Sequence, residues 1–132
     1  MINRLMNIFK KKFNKRPLLK QNVIIHFERI TIKNNVSDLH LTDSDFIKIV
    51  YKRKPYWAIF KCPCGCENVI SLSLQKIHNP HWRVINSHNK RPTIYPSIVQ
   101  NIGCLSHFWI QDGKIIWCGN SGIKPFADSQ KW

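Results

Sequence analysis

Apolar and polar residues alternate along much of the chain, and this alternation predicts a series of short β-strands. It is clearest at residues 69–74, where Val, Ser and Ser alternate with Ile, Leu and Leu. A period of two places one set of side chains on each face of a strand. Similar β-branched and aromatic segments lie at residues 22–27, 29–33, 46–52, 56–61, 81–85 and 93–95. We therefore expect a mainly β fold, a single antiparallel β domain, with a small α+β fold as the alternative.

A hairpin is predicted near the C-terminus, where the apolar runs 107–110 and 114–117 flank an Asp-Gly pair. Asp-Gly between two apolar runs is a strong hairpin signal. A loop of two residues would place His107 opposite Cys118. A loop that also includes the preceding Gln would turn the histidine to the other face of the sheet. Both registers fit the sequence.

The first twenty residues differ from the rest in charge. The chain has 132 residues with 21 Lys and Arg against 7 Asp and Glu, and half of its formal charge of +14 lies in residues 1–20. Apolar residues recur there at spacings of three and four until Pro17 ends the pattern. This predicts a basic amphipathic arm over residues 1–20, helical or disordered. Residues 21–132 have a length that suits one domain.

The distribution of apolar residues also bears on the compartment. The chain has no run of about eighteen apolar residues that would predict a transmembrane helix. Near the N-terminus the apolar residues are interrupted by Arg4, Asn7 and Lys10, and no small-residue cleavage site follows. We therefore expect a cytoplasmic protein. In a reducing cytoplasm, clustered cysteines bind metals or take part in chemistry more often than they form disulfides.

Three of the five cysteines lie within residues 62–66, in the order Cys-Pro-Cys-Gly-Cys. Pro63 fixes one backbone angle and Gly65 permits a left-handed conformation, so this turn can point its thiolates at one ion. Zinc takes four nitrogen or sulfur ligands in a tetrahedron. A second half-site further along has a Cys and a His separated by two residues. The predicted zinc ligands are drawn from Cys62, Cys64, Cys66, Cys104 and His107.

The ligand set has more members than zinc needs. With Cys118 there are six candidates for four positions. Cys118 follows Trp117 and fits a small buried side chain, which is the common role of free cysteine. Closely spaced thiols can also serve redox exchange. His107 fits packing or catalysis as well as ligation, and the sequence leaves these assignments open.

Several segments together resemble an uncharacterised family of small bacterial proteins. They are Cys62-Pro63-Cys64-Gly65-Cys66, Tyr95-Pro96-Ser97-Ile98, Cys104-Leu105-Ser106-His107-Phe108-Trp109-Ile110 and Ile116-Trp117. The similarity covers residues 55–118, and Glu67 replaces a Gly of the family pattern. Genes of this family lie beside those for a ubiquitin-like protein, its activating enzyme and its conjugating enzyme, in clusters that often accompany phage defence. The resemblance therefore implies an accessory role in such a system, with these proteins as partners.

The residues are compatible with three functions. The first is a zinc-binding accessory module that contacts the ubiquitin-like modifier or its enzymes. The second is a zinc- or thiol-dependent peptidase or hydrolase that processes or removes the modifier. The third is a zinc-stabilised nucleic-acid-binding protein, in which residues 1–20 contact phosphates or, alternatively, an anionic membrane surface.

The enzyme hypothesis assigns roles to particular side chains. Glu67 would act as general base on a zinc-bound water, and His107 as acid or oxyanion stabiliser. In the thiol version His107 would activate a cysteine. The chain has neither a His-Glu-x-x-His segment nor a nucleophile elbow. Ser97 and Ser106 lie in the segments that carry the resemblance, but a serine near a turn usually has a structural hydrogen-bonding role.

Overall fold

The computed structural model describes residues 24–86 and 90–123, and in this part the chain forms eight β-strands and no helix. The strands are β1 (Thr31–Lys33), β2 (Phe46–Tyr51), β3 (Lys54–Lys61), β4 (Val69–Ser73), β5 (Arg83–Asn86), β6 (Pro92–Val99), β7 (His107–Gln111) and β8 (Lys114–Trp117). They form two four-stranded sheets in the orders β1-β2-β3-β4 and β5-β6-β7-β8. The β1–β2 pair is parallel and the other neighbouring pairs are antiparallel. The prediction of a mainly β, largely antiparallel fold is confirmed.

The main hydrophobic core contains side chains from both sheets. Its buried members include Phe27, Phe46, Ala58, Phe60, Ile70, Leu72, Ile94, Ile98, Phe108 and Ile110. Phe27 precedes β1, and its ring centroid lies 5.4 Å from those of Phe46 and Phe60. Burial of one such side chain stabilises the fold by about 1.5–3 kcal/mol. The segment before β1 is therefore anchored by Phe27.

A second, smaller cluster covers the opposite face of the first sheet. Ile47, Ile49 and Ile59 are buried there against Leu39 and Leu41, which lie in the connection between β1 and β2. Since β2 and β3 have buried residues on both faces, their sequences are apolar at consecutive positions. Among the described residues, no comparable hydrophobic cluster covers the outer face of the second sheet.

The N-terminal end of the described chain departs from the sequence prediction. A strand was expected at residues 22–27, but the described part of this segment forms only an isolated bridge between Ile25 and Lys114. The backbone amides of His26 and Phe27 both donate to the carbonyl oxygen of Gly113, at 2.9 and 3.0 Å. The segment crosses the hairpin turn instead of pairing along a strand, so its apolar residues serve the core and not a ladder.

The C-terminal hairpin adopts the shorter of the two predicted loops. β7 and β8 pair Gln111 with Lys114, which leaves Asp112 and Gly113 as the loop. Their φ angles are +52° and +75°, as a type I′ turn requires. In this register the amide of Cys118 donates to the carbonyl of His107 at 2.9 Å.

Replacing Gly113 with Ala is expected to destabilise the fold by about 2 kcal/mol or more, because strain at a positive φ would be added to a steric clash. A Cβ at this position would lie 2.1 Å from the carbonyl oxygen of Phe27. Gly119→Ala is the matched control, since a Cβ there has no neighbour within 4 Å. Urea unfolding should show a clearly lower midpoint for Gly113→Ala alone. Equal midpoints for the two variants would contradict this account of the turn.

The predicted basic arm, residues 1–20, lies outside the described residues, and so do residues 87–89 and 124–132. Within the described ranges, the protein has no helix that is long and apolar enough to cross a membrane.

Candidate active site and thiol cluster

Four cysteine sulfurs converge at one end of the two sheets. The Sγ atoms of Cys62, Cys64, Cys66 and Cys104 all lie within 4.8 Å of one another. The Sγ of Cys62 is 3.5 Å from that of Cys64 and 3.7 Å from that of Cys104. A tetrahedral ion with metal–sulfur bonds of about 2.3 Å separates its sulfur ligands by about 3.8 Å. The spacing fits one tetrahedral ion, so this thiol cluster can hold a metal.

Two loops from different sheets build the thiol cluster. Cys62 directly follows β3, and its amide donates to the carbonyl of Asn68 at 2.8 Å. Gly65, with a φ of +89°, lets the chain turn so that its amide donates back to the carbonyl of Cys62. Cys104 comes from the loop between β6 and β7. A Cβ on Gly103 would lie 3.3 Å from the Asn68 side chain, so the two loops are in close contact. A metal held here would tie the two sheets together.

The protonation of the thiols follows from their surroundings. Burial raises the pKa of the Cys62 thiol to about 12. Burial also acts to raise the pKa of Cys104, but hydrogen bonds from the Ser106 hydroxyl and backbone outweigh it and lower this pKa to about 6. The Ser106 hydroxyl donates to the Cys104 sulfur over 3.1 Å. The lowered pKa favours the thiolate form of Cys104, which is the form that binds metals, whereas Cys62 would release a proton on metal binding.

The structure places the fifth predicted ligand, His107, in a different cluster. Its Nε2 lies 3.1 Å from the Oγ of Ser97, and its Nδ1 lies 2.6 Å from the Oδ1 of Asn120. Both ring nitrogens therefore have partners that are not metal ligands, and the four-sulfur group does not include this histidine. Cys118 is also outside that group, as a half-buried free thiol.

Glu67, the proposed general base, is paired with a lysine. Its carboxylate accepts a hydrogen bond from the Nζ of Lys61 at 2.8 Å, and 69% of its side chain is exposed. Its φ is +70°, which is costly for a residue with a Cβ and easy for glycine. This conformation gives a physical reason for the Gly that the resemblance pattern has at this position.

An irregularity in β6 presents Ser97 to the histidine. Ile94 of β6 pairs with Ile110 of β7, but Ile98 pairs with Phe108, so four positions on β6 correspond to two on β7. Such a bulge bends a strand and turns a side chain toward a site. Ser97 lies inside the bulge, and its carbonyl oxygen accepts a hydrogen bond from the indole of Trp82 at 3.2 Å.

The other two residues of this cluster come from the ends of neighbouring elements. His107 is the first residue of β7, and its backbone amide donates to the hydroxyl of Ser121 at 3.0 Å. Asn120 lies in the turn after β8 and is exposed, whereas Ser97 and His107 are half-buried. The β7–β8 hairpin register thus brings the turn that carries Asn120 back to the start of β7.

The three side chains have the order nucleophile, base and orienting group. An amide oxygen only accepts hydrogen bonds, so the contact with Asn120 Oδ1 favours the neutral tautomer of His107 that carries its proton on Nδ1. In this tautomer Nε2 can accept the hydroxyl proton of Ser97. Both distances are within the reach required for proton transfer and orientation. Cys-His-Asn and Ser-His-Asp sites on unrelated folds share this arrangement of roles.

Sequence reasoning missed Ser97 and Asn120. Ser97 lies in the Tyr-Pro-Ser-Ile segment of the resemblance, and this segment is the sequence signal that points to it. From sequence alone, a structural hydrogen-bonding role is the usual interpretation of such a serine. Asn120 lies in a short polar turn that no motif distinguishes. Its role depends on the hairpin register, which the sequence left open.

The fold and the site define a class: a small β protein that combines a four-thiol cluster with a Ser-His-Asn arrangement typical of hydrolases. A profile of the BubE family, described as the bacterial ubiquitination-like system serine protease, matches residues 33–118. This range is well over half of the chain, and the chain belongs to that family. Comparisons with curated proteins and with solved structures found no match.

The family match agrees with the relationship that the sequence motifs implied. It associates the chain with a bacterial ubiquitination-like system, as the resemblance indicated. The matched range contains the four clustered cysteines, Ser97 and His107 and ends two residues before Asn120. The assignment of Asn120 therefore comes from the geometry alone.

Proposed function

We propose that this chain is a serine protease that acts on the modifier of a bacterial ubiquitination-like system, either on a precursor or on conjugates. The observation that carries the proposal is the 3.1 Å contact between the Ser97 hydroxyl and the Nε2 of His107, whose other nitrogen is held by Asn120. Membership of a family described as a serine protease of a bacterial ubiquitination-like system supports the reaction class and the system. Among the forms of the peptidase hypothesis, this geometry favours the serine mechanism over the zinc-water and thiol mechanisms.

The three residues can carry out the proton transfers of a two-step acyl transfer. Ser97 Oγ attacks the substrate carbonyl carbon while its proton passes to His107 Nε2. The protonated imidazole then gives this proton to the leaving group, and the carbonyl–leaving-group bond breaks to leave an acyl ester on Ser97. A water then loses a proton to the same nitrogen and attacks the ester. The imidazole returns this proton to Ser97 Oγ as the ester bond breaks, which releases the acid and the free serine. Asn120, being neutral, orients the ring but does not supply charge to the imidazolium.

The thiol cluster fits a structural zinc in this proposal. Four protein thiolates complete a tetrahedron and leave no open position for a substrate or water. When bound, zinc would supply folding energy and a fixed link between the two sheets. Cys104 lies three residues before His107, in the loop that leads into β7. Ligation of this cysteine would therefore fix the start of β7 and the position of the catalytic histidine.

A fluorophosphonate probe, which reacts with activated serine hydroxyls, tests the proposed function. Peptide mass spectrometry should find the label on Ser97, and the label should be absent from His107→Ala. Ser73 is an internal comparison, because its hydroxyl also bonds a histidine, His78, but the serine is buried. Labelling at Ser73, or none at Ser97, would refute the assignment of the nucleophile.

Asn120→Ala is expected to lower kcat by about ten- to a hundredfold, part of the contribution of about 10²–10⁴ that a well-oriented general base makes. KM should change little, because Asn120 contacts the histidine and not the substrate. Asn101→Ala is the matched control, since Asn101 is an exposed amide in the β6–β7 loop. Steady-state kinetics of both variants measure the difference. An unchanged kcat in Asn120→Ala would show that His107 needs no orienting group.

A further inference from the structure

The face of the second sheet that carries the nucleophile also carries apolar side chains. Along β7, Phe108 and Ile110 point into the core, so His107 and Trp109 point to the opposite, outer face. Trp109 pairs with Ile116 of β8, and residues paired across two strands share a face. Since Ser97 contacts His107, the nucleophile lies on this outer face too.

Three of these side chains form a continuous exposed surface. The rings of Tyr95 and Trp109 have centroids 6.0 Å apart, and Ile116 lies beside Trp109. Tyr95 is 53% exposed, Trp109 37% and Ile116 44%. We name Tyr95, Trp109 and Ile116 the aromatic shelf. Neighbouring exposed apolar residues of this size are typical of surfaces that bind another molecule.

The aromatic shelf is already formed in the free protein. The guanidinium carbon of Arg83 lies 5.5 Å from the centroid of the Tyr95 ring. Arg83 and Tyr95 are direct partners in the β5–β6 ladder. This cation–π contact favours the observed orientation of the ring. A surface that needs no ordering on binding loses less free energy when a ligand covers it.

The position of the nucleophile identifies the occupant of the shelf. For acyl transfer, the scissile carbonyl must lie about 3–3.5 Å from the Ser97 Oγ, so the substrate chain must cross the outer face. Tyr95 is two residues from Ser97 on β6. Successive residues of an extended chain are about 3.3–3.6 Å apart, so a side chain within two residues of the scissile bond reaches the shelf.

We propose that the aromatic shelf binds a large apolar side chain of the polypeptide substrate next to the scissile bond, and that it sets the sequence preference of the enzyme. This inference rests on the proposed serine protease function. Trp109, Tyr95 and Ile116 are binding residues in this role and take no part in proton transfer. A substrate with glycine at that position forgoes these contacts, and its kcat/KM is lower.

Two chromogenic ester series test the shelf. They carry either leucine or glycine at each position within two residues of the reactive ester. For the wild-type protein, at one of these positions, kcat/KM should be about tenfold or more higher with leucine, the discrimination expected of a small apolar contact. In Trp109→Ala this leucine-to-glycine ratio should approach one, and Trp109→Phe should retain much of it. Tyr95→Ala, at a more exposed site, repeats the test if Trp109→Ala does not fold.

Ile77→Ala is the control, since Ile77 is 87% exposed in the loop after β4, on the other sheet. It should keep the wild-type ratio. Two results would refute the shelf and leave the proposed function intact, provided that hydrolysis depends on Ser97. One is an unchanged leucine-to-glycine ratio in Trp109→Ala and Tyr95→Ala, and the other is the absence of any leucine preference. Hydrolysis that persists in Ser97→Ala would refute the proposed function itself, and the shelf with it.

Discussion

Ser97→Ala is expected to lower kcat/KM for ester and peptide hydrolysis by about a thousandfold or more. Without the hydroxyl there is no acyl-enzyme, and the base and orienting group have no proton to move. Catalytic residues that act as one unit lose nearly all their effect when the nucleophile is removed. Steady-state hydrolysis of an activated ester, followed in parallel with cleavage of the modifier, measures the loss.

Ser73→Ala is the matched control for this substitution. Ser73 is 7% exposed, and its Oγ contacts the Nδ1 of His78 and accepts the amide of Gln75 at 3.2 Å. Its removal costs about 1 kcal/mol of stability for a lost hydrogen bond, and the fold should remain intact. Activity should therefore stay close to that of the wild type. If both alanine variants lose activity equally, the loss reflects folding, and Ser97 is not the nucleophile.

Cys104→Ser is expected to release the metal and to unfold or strongly destabilise the domain. Metal analysis of the wild-type protein should find about one zinc per chain, and the variant should have much less. Structural zinc has an apparent binding free energy of about 10–16 kcal/mol in small zinc-binding peptides, which is as large as the whole stability of a typical domain. A strong chelator should lower the unfolding temperature of the wild-type protein in the same way as the loss of Cys104.

Cys118→Ser separates this effect from the general loss of a thiol. Cys118 is a half-buried free cysteine outside the four-sulfur group. Its substitution should leave the zinc content unchanged and the midpoint of unfolding within a few degrees of the wild type. Zinc loss in Cys118→Ser would contradict the structural metal. A wild-type protein that contains no metal and unfolds at the same temperature with and without chelator would contradict it too.

Most of the strands could be predicted from the sequence because their pattern is local. Residues 46–52, 56–61 and 69–74 carry β-branched or alternating apolar residues, and β2, β3 and β4 lie there. The segment at 22–27 has the same local composition, but its described part, residues 24–27, crosses a turn, because Phe27 packs in the core against distant rings. Composition cannot distinguish these outcomes, since the difference lies in long-range packing.

The thiol cluster and the Ser-His-Asn group also differ in how far the sequence predicts them. The cysteines at 62–66 lie close in sequence, and the convergence of three of them could be anticipated from one turn. The contact between Ser97 and His107 depends on a strand bulge, and the contact to Asn120 depends on a hairpin register. Pro96 and the Asp112-Gly113 pair mark where the bulge and the turn lie, but not the register that each of them produces. His107 was singled out, but its partners could be found only in three dimensions.

The bulge in β6 makes the position of Ser97 depend on the length of this strand. If β6 and β7 continued the register of Ile94 and Ile110 without interruption, Ser97 would lie directly opposite His107 in the ladder. In the observed register Val99 pairs with His107, and Ser97 reaches the histidine ring from within the bulge. The core residues Ile94 and Ile98 lie on either side of the bulge, so an insertion or deletion between them would move Ser97 while both residues kept their places in the core. A change in the length of this segment in a relative would therefore alter the Ser–His contact before it altered the fold.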